Sequence, residues 1–333
     1  MFEREGNRLR FSVVVCAYTE RRWDDLVAAV DSLKAQTQPP HEIILSIDHN
    51  PGLYARAAAE LIGTVCVENL GQQGLSDARN AGLAAATGDV VAFLDDDAAA
   101  EPGWLAVLAE GYADARVVGV GGFAEPAWEA GRPAWFPKEF DWVVGCTYLG
   151  MPSAAAPVRN MVGCNMSFRR ELFEGEDAVS GFNAGIGRLG TKPVGCEETE
   201  LCIRVHQARP DAVILFDPRG VVHHKVPANR ATWAYYRSRC YAEGLSKAAV
   251  SGLVGSDRAL EAERQYTRKT LPAGVLAGLG EAVRGRRAGA AKAGAIVAGV
   301  SITAFGYALG RLAPRRFIDP AAGRQSSSMV PAP

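Results

Sequence analysis

The sequence predicts an α/β fold: a doubly wound, mostly parallel sheet with flanking helices, plus a helical extension at the C-terminus. Three observations carry this. Short β-branched runs alternate with segments of helical apolar spacing through residues 9–123, the pattern of successive β-α units. The strands read as near-continuous apolar runs, as strands covered on both faces do. Residues 281–316 then change character, with an 18-residue uncharged run (293–310) set between basic residues.

The elements follow in order. LRFSVVVCAY (9–18) is the first strand, and WDDLVAAVDSLKAQ (23–36) is a helix that stops before QPP. HEIILSID (41–48) is the second strand, followed by an Asn-Pro-Gly turn at 50–52. LYARAAAELIG (53–63) reads as a helix and VCVEN (65–69) as a short strand. GLSDARNAGLAAATG (74–88) is a helix with Gly88 at its end, and DVVAFLDDD (89–97) is a strand. WLAVLAEGYAD (104–114) is a helix and ARVVGVGGF (115–123) a strand.

Bulk properties narrow the function. The 333-residue chain is 48% hydrophobic and carries a formal net charge of −1, which gives no general reason to bind nucleic acid. Its seven cysteines form no CxxC, and several sit in apolar runs. Reduced thiols and a cytoplasmic site of action are expected. The charged start MFEREGNRLR leads straight into a strand and shows no secretory signal.

The chemistry concentrates where strands end. In doubly wound sheets, ligands bind beyond the carboxyl ends of the strands. Asp48 and the run Asp95, Asp96, Asp97 all lie at such ends. Adjacent carboxylates repel and raise each other's pKa. A divalent cation such as Mn²⁺ or Mg²⁺ relieves that conflict and bridges carboxylates to phosphates. If the strand stays extended through the run, Asp95 and Asp97 point one way and Asp96, their spacer, the other.

VVVCAYTER, ILSID and NLGQQGLSDARNAGLAAATGDVVAFLDDDAAAEPGWL, in that order, resemble an inverting, non-processive family 2 glycosyltransferase with a GT-A fold. VGCNMSFRR (162–170) resembles the family's acceptor-side motif, and CEETELCIR (196–204) the acidic motif that carries the general base. VVHHKVP (221–227) with WAYYRSRCYAEG (233–244) resembles its C-terminal part, and no Q-x-x-R-W motif follows. The RRW at 21–23 is a different feature that precedes the first helix.

The resemblance implies roles for matching positions. Ala17, Tyr18, Glu20 and Asp48 hold the nucleotide base, and Asp77 and Arg79 lie by the uridine and diphosphate. Asp95 contacts ribose and metal, Asp97 the metal, and Asp96 belongs with the nucleotide-binding set. His224 aligns with a metal- or diphosphate-contacting histidine, with His223 in reserve, since a strand turns the two to opposite faces. Asn165, Met166, Glu197 and Trp135 fall on the sugar and acceptor side. Glu198 aligns with the catalytic base, but the family's Glu-Asp reads Glu197-Glu198 here, so both remain candidates. Cys16 stands where the family usually has proline.

The implied layout is a GT-A catalytic domain over 1–245, with a nucleotide-sugar half at 10–123 and an acceptor half at 124–245. A helical, membrane-associated region follows at 246–318, then a disordered tail at 319–333. Within 124–160, Trp128, Trp135 and Trp142 either stack on a sugar or anchor a long loop. The run 293–310 would measure about 27 Å as a helix. It either lies on anionic lipid, spans the membrane, or packs on the catalytic domain.

The expected activity is metal-dependent transfer from a nucleotide sugar, UDP-linked, to a lipid-linked or cell-envelope glycan hydroxyl, at the inner face of the cell membrane. Two alternatives are a non-catalytic sugar- or nucleotide-binding protein on the same fold, and a dinucleotide-dependent oxidoreductase suggested by GVGGFA (119–124). The second fails because EPAWEAG cannot open the helix that should receive a pyrophosphate. Donor sugar, acceptor, linkage and oligomeric state leave no mark in the sequence.

Overall fold

The computed structural model describes residues 8–184, 186, 195–254 and 266–312. The expected tail at 319–333, and residues 255–265 and 313–318 of the expected helical region, lie outside the described residues. The chain forms two compact units. One comprises Met1–Glu125, Pro152–Gly181 and Val205–His224, the other Pro126–Met151, Phe182–Arg204 and Lys225–Pro333.

The first unit holds most of the sheet. Its strands are β1 (Phe11–Ala17), β2 (Glu42–Asp48), β3 (Val65–Asn69), β4 (Val90–Asp95), β5 (Ala98–Ala100), β6 (Val117–Trp128), β7 (Ala156–Pro157), β8 (Asn165–Arg169) and β9 (Val213–Val226). Among the described residues the order is β3-β2-β1-β4-β8-β6-β9-β5, with β7 on β9. The expected parallel, doubly wound part is β3-β2-β1-β4. β8 then pairs antiparallel with both β4 and β6, as do β5 and β7 with β9. The sheet is therefore mixed, and the last step of the alternation legible in the sequence, α4 to β6, leads beyond the parallel group.

Helices α1 (Trp23–Lys34), α2 (Pro51–Glu60), α3 (Leu75–Ala85) and α4 (Trp104–Gly111) connect these strands. Asn50 caps α2 by accepting the Leu53 amide at 3.0 Å. α3 ends at Ala85, before the Gly88 expected there. Gly88 serves a different end, because a Cβ on it would sit 2.6 Å from the Arg10 carbonyl oxygen of the chain entering β1. The core is fully buried and includes Val13, Val15, Leu45, Ile47, Val90, Ala92 and Trp104. Gly119–Ala124, the segment with a dinucleotide-like pattern, lies inside β6 and opens no helix.

The second unit contains most of α5 (Glu197–Ala208), then α6 (Trp233–Val254), α7 (Leu271–Val283) and α8 (Arg287–Leu312). Its core is aromatic: Phe136, Phe140 and Tyr236 are buried, with Trp128, Trp135 and Trp142 packed against them. α8 covers and outlasts the uncharged run 293–310, and it packs on α6. The Tyr236 hydroxyl donates to the Ala295 carbonyl at 2.8 Å. A Cβ on Gly244 would overlap the Thr303 carbonyl oxygen, and one on Gly310 would lie 2.6 Å from the Ala248 Cβ. Glycines thus let α6 and α8 approach closely. Among the described residues only this helix is long and apolar enough to cross a membrane.

Candidate active site

The parallel strands end together and deliver the predicted side chains to one edge of the first unit. Ala17 closes β1 and is buried, while Tyr18 and Glu20 beyond it are exposed. Asn50 ties the two strand ends, donating to the Tyr18 carbonyl at 3.2 Å and to Glu20 Oε2 at 3.0 Å. That hydrogen bond holds the Glu20 carboxyl below the usual carboxylate range.

Asp48 ends β2 and organises the loop after β3. Its Oδ1 accepts from Asn69 Nδ2 at 2.8 Å and its Oδ2 from the Gly74 amide at 2.9 Å, beside the N-terminus of α3. Asp77, in the first turn of α3, accepts from the Gln72 amide at 2.6 Å. Arg79 is 2% exposed, which a guanidinium tolerates only when paired. It reaches Asp95 Oδ1 at 3.4 Å and donates to the Gly163 carbonyl at 3.1 Å.

The three aspartates do not stay extended. β4 stops at Asp95, and Asp96 and Asp97 form a turn into β5. The turn separates the charges: Asp95 toward Arg79, Asp96 toward Arg22 at 2.7 Å, and Asp97 toward His224 Nε2 at 3.2 Å. β5 pairs with β9, setting Ala98 opposite His224 and Ala99 opposite His223. His223 therefore takes the other face, where it meets Glu101 and Glu125 at 3.2 and 3.3 Å.

Asp95, Asp97 and His224 offer ligand atoms that all lie within 4.8 Å of one another. Asp97 and His224 are buried and Asp95 is half-buried. Two carboxylates and an imidazole suit Mn²⁺ or Mg²⁺ and leave positions for further oxygens. Asp96, the spacer between the two carboxylates, is buried beside Arg22. Burial pushes its carboxyl above the usual carboxylate range, and its Oδ2 is buried with no hydrogen-bond partner.

Asn165 and Met166, expected toward the sugar, are fully buried in β8. Asn165 accepts from Trp104 Nε1 at 2.8 Å and the Gly122 amide at 3.2 Å, and donates to the carbonyls of Gly220 and Phe123 at 2.9 and 3.1 Å. Its whole amide is used inside the protein, knitting β8 to its neighbours. Arg22, by contrast, is legible in the sequence only as part of RRW at 21–23. Its link to Asp96 spans 74 positions, and no local pattern signals it.

In the second unit, Glu197 and Glu198 open α5, where the helix dipole favours negative charge. Glu197 is buried and Glu198 half-buried. The corner before them is pinned to α6: the Gly195 amide donates to Ser246 Oγ at 2.9 Å, and the Cys196 thiol faces Glu243 at 3.6 Å. Cys196 itself has φ 73°, a left-handed conformation unusual for a side chain with a Cβ. Trp135 packs edge-on against Trp233 and Tyr236 at 5.3 and 5.5 Å between ring centroids. Those contacts tie the half-buried ring to α6.

Residues 12–175 match the profile of Glycosyl transferase family 2. A glucosyl-dolichyl phosphate glucuronosyltransferase of Haloferax volcanii is 35% identical over 243 residues, covering 72% of this chain and 76% of that protein. The chain belongs to glycosyltransferase family 2. The family 2 enzyme is also 28% identical to the succinoglycan biosynthesis protein ExoM of Rhizobium meliloti, over 71% of this chain and 73% of that protein. Its fold matches a mannosyltransferase of Pyrobaculum calidifontis solved with GDP-Man and Mn²⁺. The TM-score is 0.54 at 18% identity, over 92% of this chain and 88% of that one. As a glycosyltransferase it draws on a nucleotide-sugar donor, and the strand ends described above are where an α/β sheet binds one.

Proposed function

We propose that this family 2 enzyme moves a sugar, with inversion, from a UDP-sugar to a hydroxyl of a lipid-linked or cell-envelope glycan. The observation that carries the reading is the convergence of Asp95, Asp97 and His224 within 4.8 Å beside the ends of β1, β2 and β4. When bound there, the cation would neutralise the leaving diphosphate. Ala17, Tyr18, Glu20 and Asp48 hold the nucleoside, Asp77 and Arg79 orient the diphosphate side, and Asp96 supports this set. Glu198 takes the proton of the acceptor hydroxyl as that oxygen bonds to the anomeric carbon and the bond to the diphosphate breaks. One in-line displacement inverts the configuration. Glu198 is preferred to Glu197 because it is the less buried of the two. Catalytic residues and the cation belong to a domain spanning 1–245.

A lipid-linked acceptor has two supports. The relative at 35% identity carries dolichyl phosphate in its name. α7 and α8 also expose Leu276, Leu279, Val283, Val297, Phe305 and Leu312, and the exposed Arg284, Arg286, Arg287 and Arg311 lie on or between these helices. This is the composition of a surface that rests on anionic lipid. A span is disfavoured, because it would strip α8 from the close glycine contacts with α6.

The donor is tested by measuring UDP or GDP release from a panel of nucleotide sugars with Mn²⁺. Turnover of a UDP-sugar in preference to GDP-mannose is expected, and the reverse would reassign the base. The surface is tested with vesicles containing phosphatidylglycerol. Leu276→Asp should weaken binding about tenfold or more, given about 1.5–3 kcal/mol for burying a leucine side chain, with little change in melting temperature because Leu276 is exposed. Unchanged vesicle binding would exclude this face as the contact.

A further inference from the structure

Arg22 closes a short 3₁₀ turn, Glu20–Arg22, just before α1. Its Nη1 lies 2.7 Å from Asp96 Oδ1 and 3.3 Å from Asp97 Oδ2, and its guanidinium sits 5.6 Å from the Tyr18 ring centroid. Burial alone would lower its pKa, but the Asp96 and Asp97 charges outweigh that and hold it raised. Asp97 is thus shared: Oδ2 faces Arg22, while Oδ1 faces His224 at 3.2 Å. A divalent cation bound to Asp97 would meet a fixed positive charge only a few ångströms away. Asp96 offers the way out. It makes the shorter of the two contacts with Arg22, and its Oδ2 has no hydrogen-bond partner. That spare oxygen can accept a second guanidinium N–H and complete a two-pronged pair.

We propose that Arg22 is an internal counter-ion of the metal site that competes with the divalent cation for Asp97, and that Asp96 is the residue that draws Arg22 aside when the cation binds. This rests on the metal-site reading of the proposed function. It gives Asp96, the spacer between Asp95 and Asp97, a task of its own, that of a positioning residue which sets cation affinity without ligating the cation. It also accounts for burying a carboxylate with one oxygen unpaired, which is costly unless a partner is close enough to take it.

The test is Mn²⁺ titrated into the full chain without nucleotide, with free Mn²⁺ read by electron paramagnetic resonance. Arg22→Gln should tighten Mn²⁺ roughly tenfold, as loss of a charge at this range in a partly solvated site allows. Asp96→Asn should weaken it to a similar degree, because Arg22 then falls back on Asp97. The double variant should bind like Arg22→Gln alone, since no Arg22 remains for Asp96 to hold. Arg22→Met, which keeps the apolar stem, stands in if Arg22→Gln unfolds. Mn²⁺ binding that is unchanged or weaker in both Arg22 variants would overturn the proposal. So would an Asp96→Asn effect that persists at full size in the double variant. A wild-type chain that binds no Mn²⁺ would instead remove the metal site on which both readings stand.

Discussion

Asp97→Asn is expected to lose Mn²⁺-dependent sugar transfer by about a thousandfold. Asp97 offers an oxygen to the candidate cation and contacts His224 with Oδ1. Asparagine keeps the volume and one acceptor but removes the charge, so the buried turn stays filled while the site loses much of its pull on a cation. Charge neutralisation by a metal contributes several kcal/mol at a transition state, and each 1.4 kcal/mol is about tenfold in rate. Initial rates at saturating donor with increasing Mn²⁺ check this. Thermal melts alongside should show a small shift only. A variant that reaches wild-type rates at high Mn²⁺ would show Asp97 to be dispensable.

Glu198→Gln should lower transfer by about 10²–10⁴, the usual range for general-base assistance, and leave UDP and Mn²⁺ affinity near normal. Glutamine keeps the length and hydrogen-bonding capacity of the side chain but cannot take the proton. Glu197→Gln should cost far less, because Glu197 is 5% exposed and so less open to an acceptor. The pair of variants distinguishes base from scaffold. A large loss in Glu197→Gln with little in Glu198→Gln would exchange their roles. A UDP-binding defect in Glu198→Gln would make that residue structural.

The parts of this enzyme legible in its sequence are those written by local spacing. β1, β2 and β4 announce themselves as apolar runs, and their parallel order follows from the helices between them. The strand-end aspartates stand out because like charges rarely cluster without a reason. Alternation along β9 separates His223 from His224, although only the pairing of β5 with β9 brings His224 to Asp97. What stayed hidden depends on distant partners. Asn165 is expected on the acceptor side from its motif alone, and its hydrogen bonds to Trp104, 61 positions away, and to the Gly220 carbonyl have no local signal. The partners of the Asp96–Asp97 turn, Arg22 and His224, are 74 and 127 positions from the residues they meet, so no window around residue 96 contains them. The glycine-rich run 293–310 fitted a membrane as well as a helix face. The close contacts of Gly244 and Gly310 with the facing helix show that much of its small-residue content serves packing.

In the proposed function the strand-end carboxylates bind a nucleotide diphosphate through a divalent cation. Calorimetric titration of UDP into the wild-type chain, once with Mn²⁺ and once with EDTA, tests it most directly. The expected result is saturable binding with Mn²⁺ and a loss of affinity of at least tenfold with EDTA. Equal UDP binding under both conditions would contradict the account.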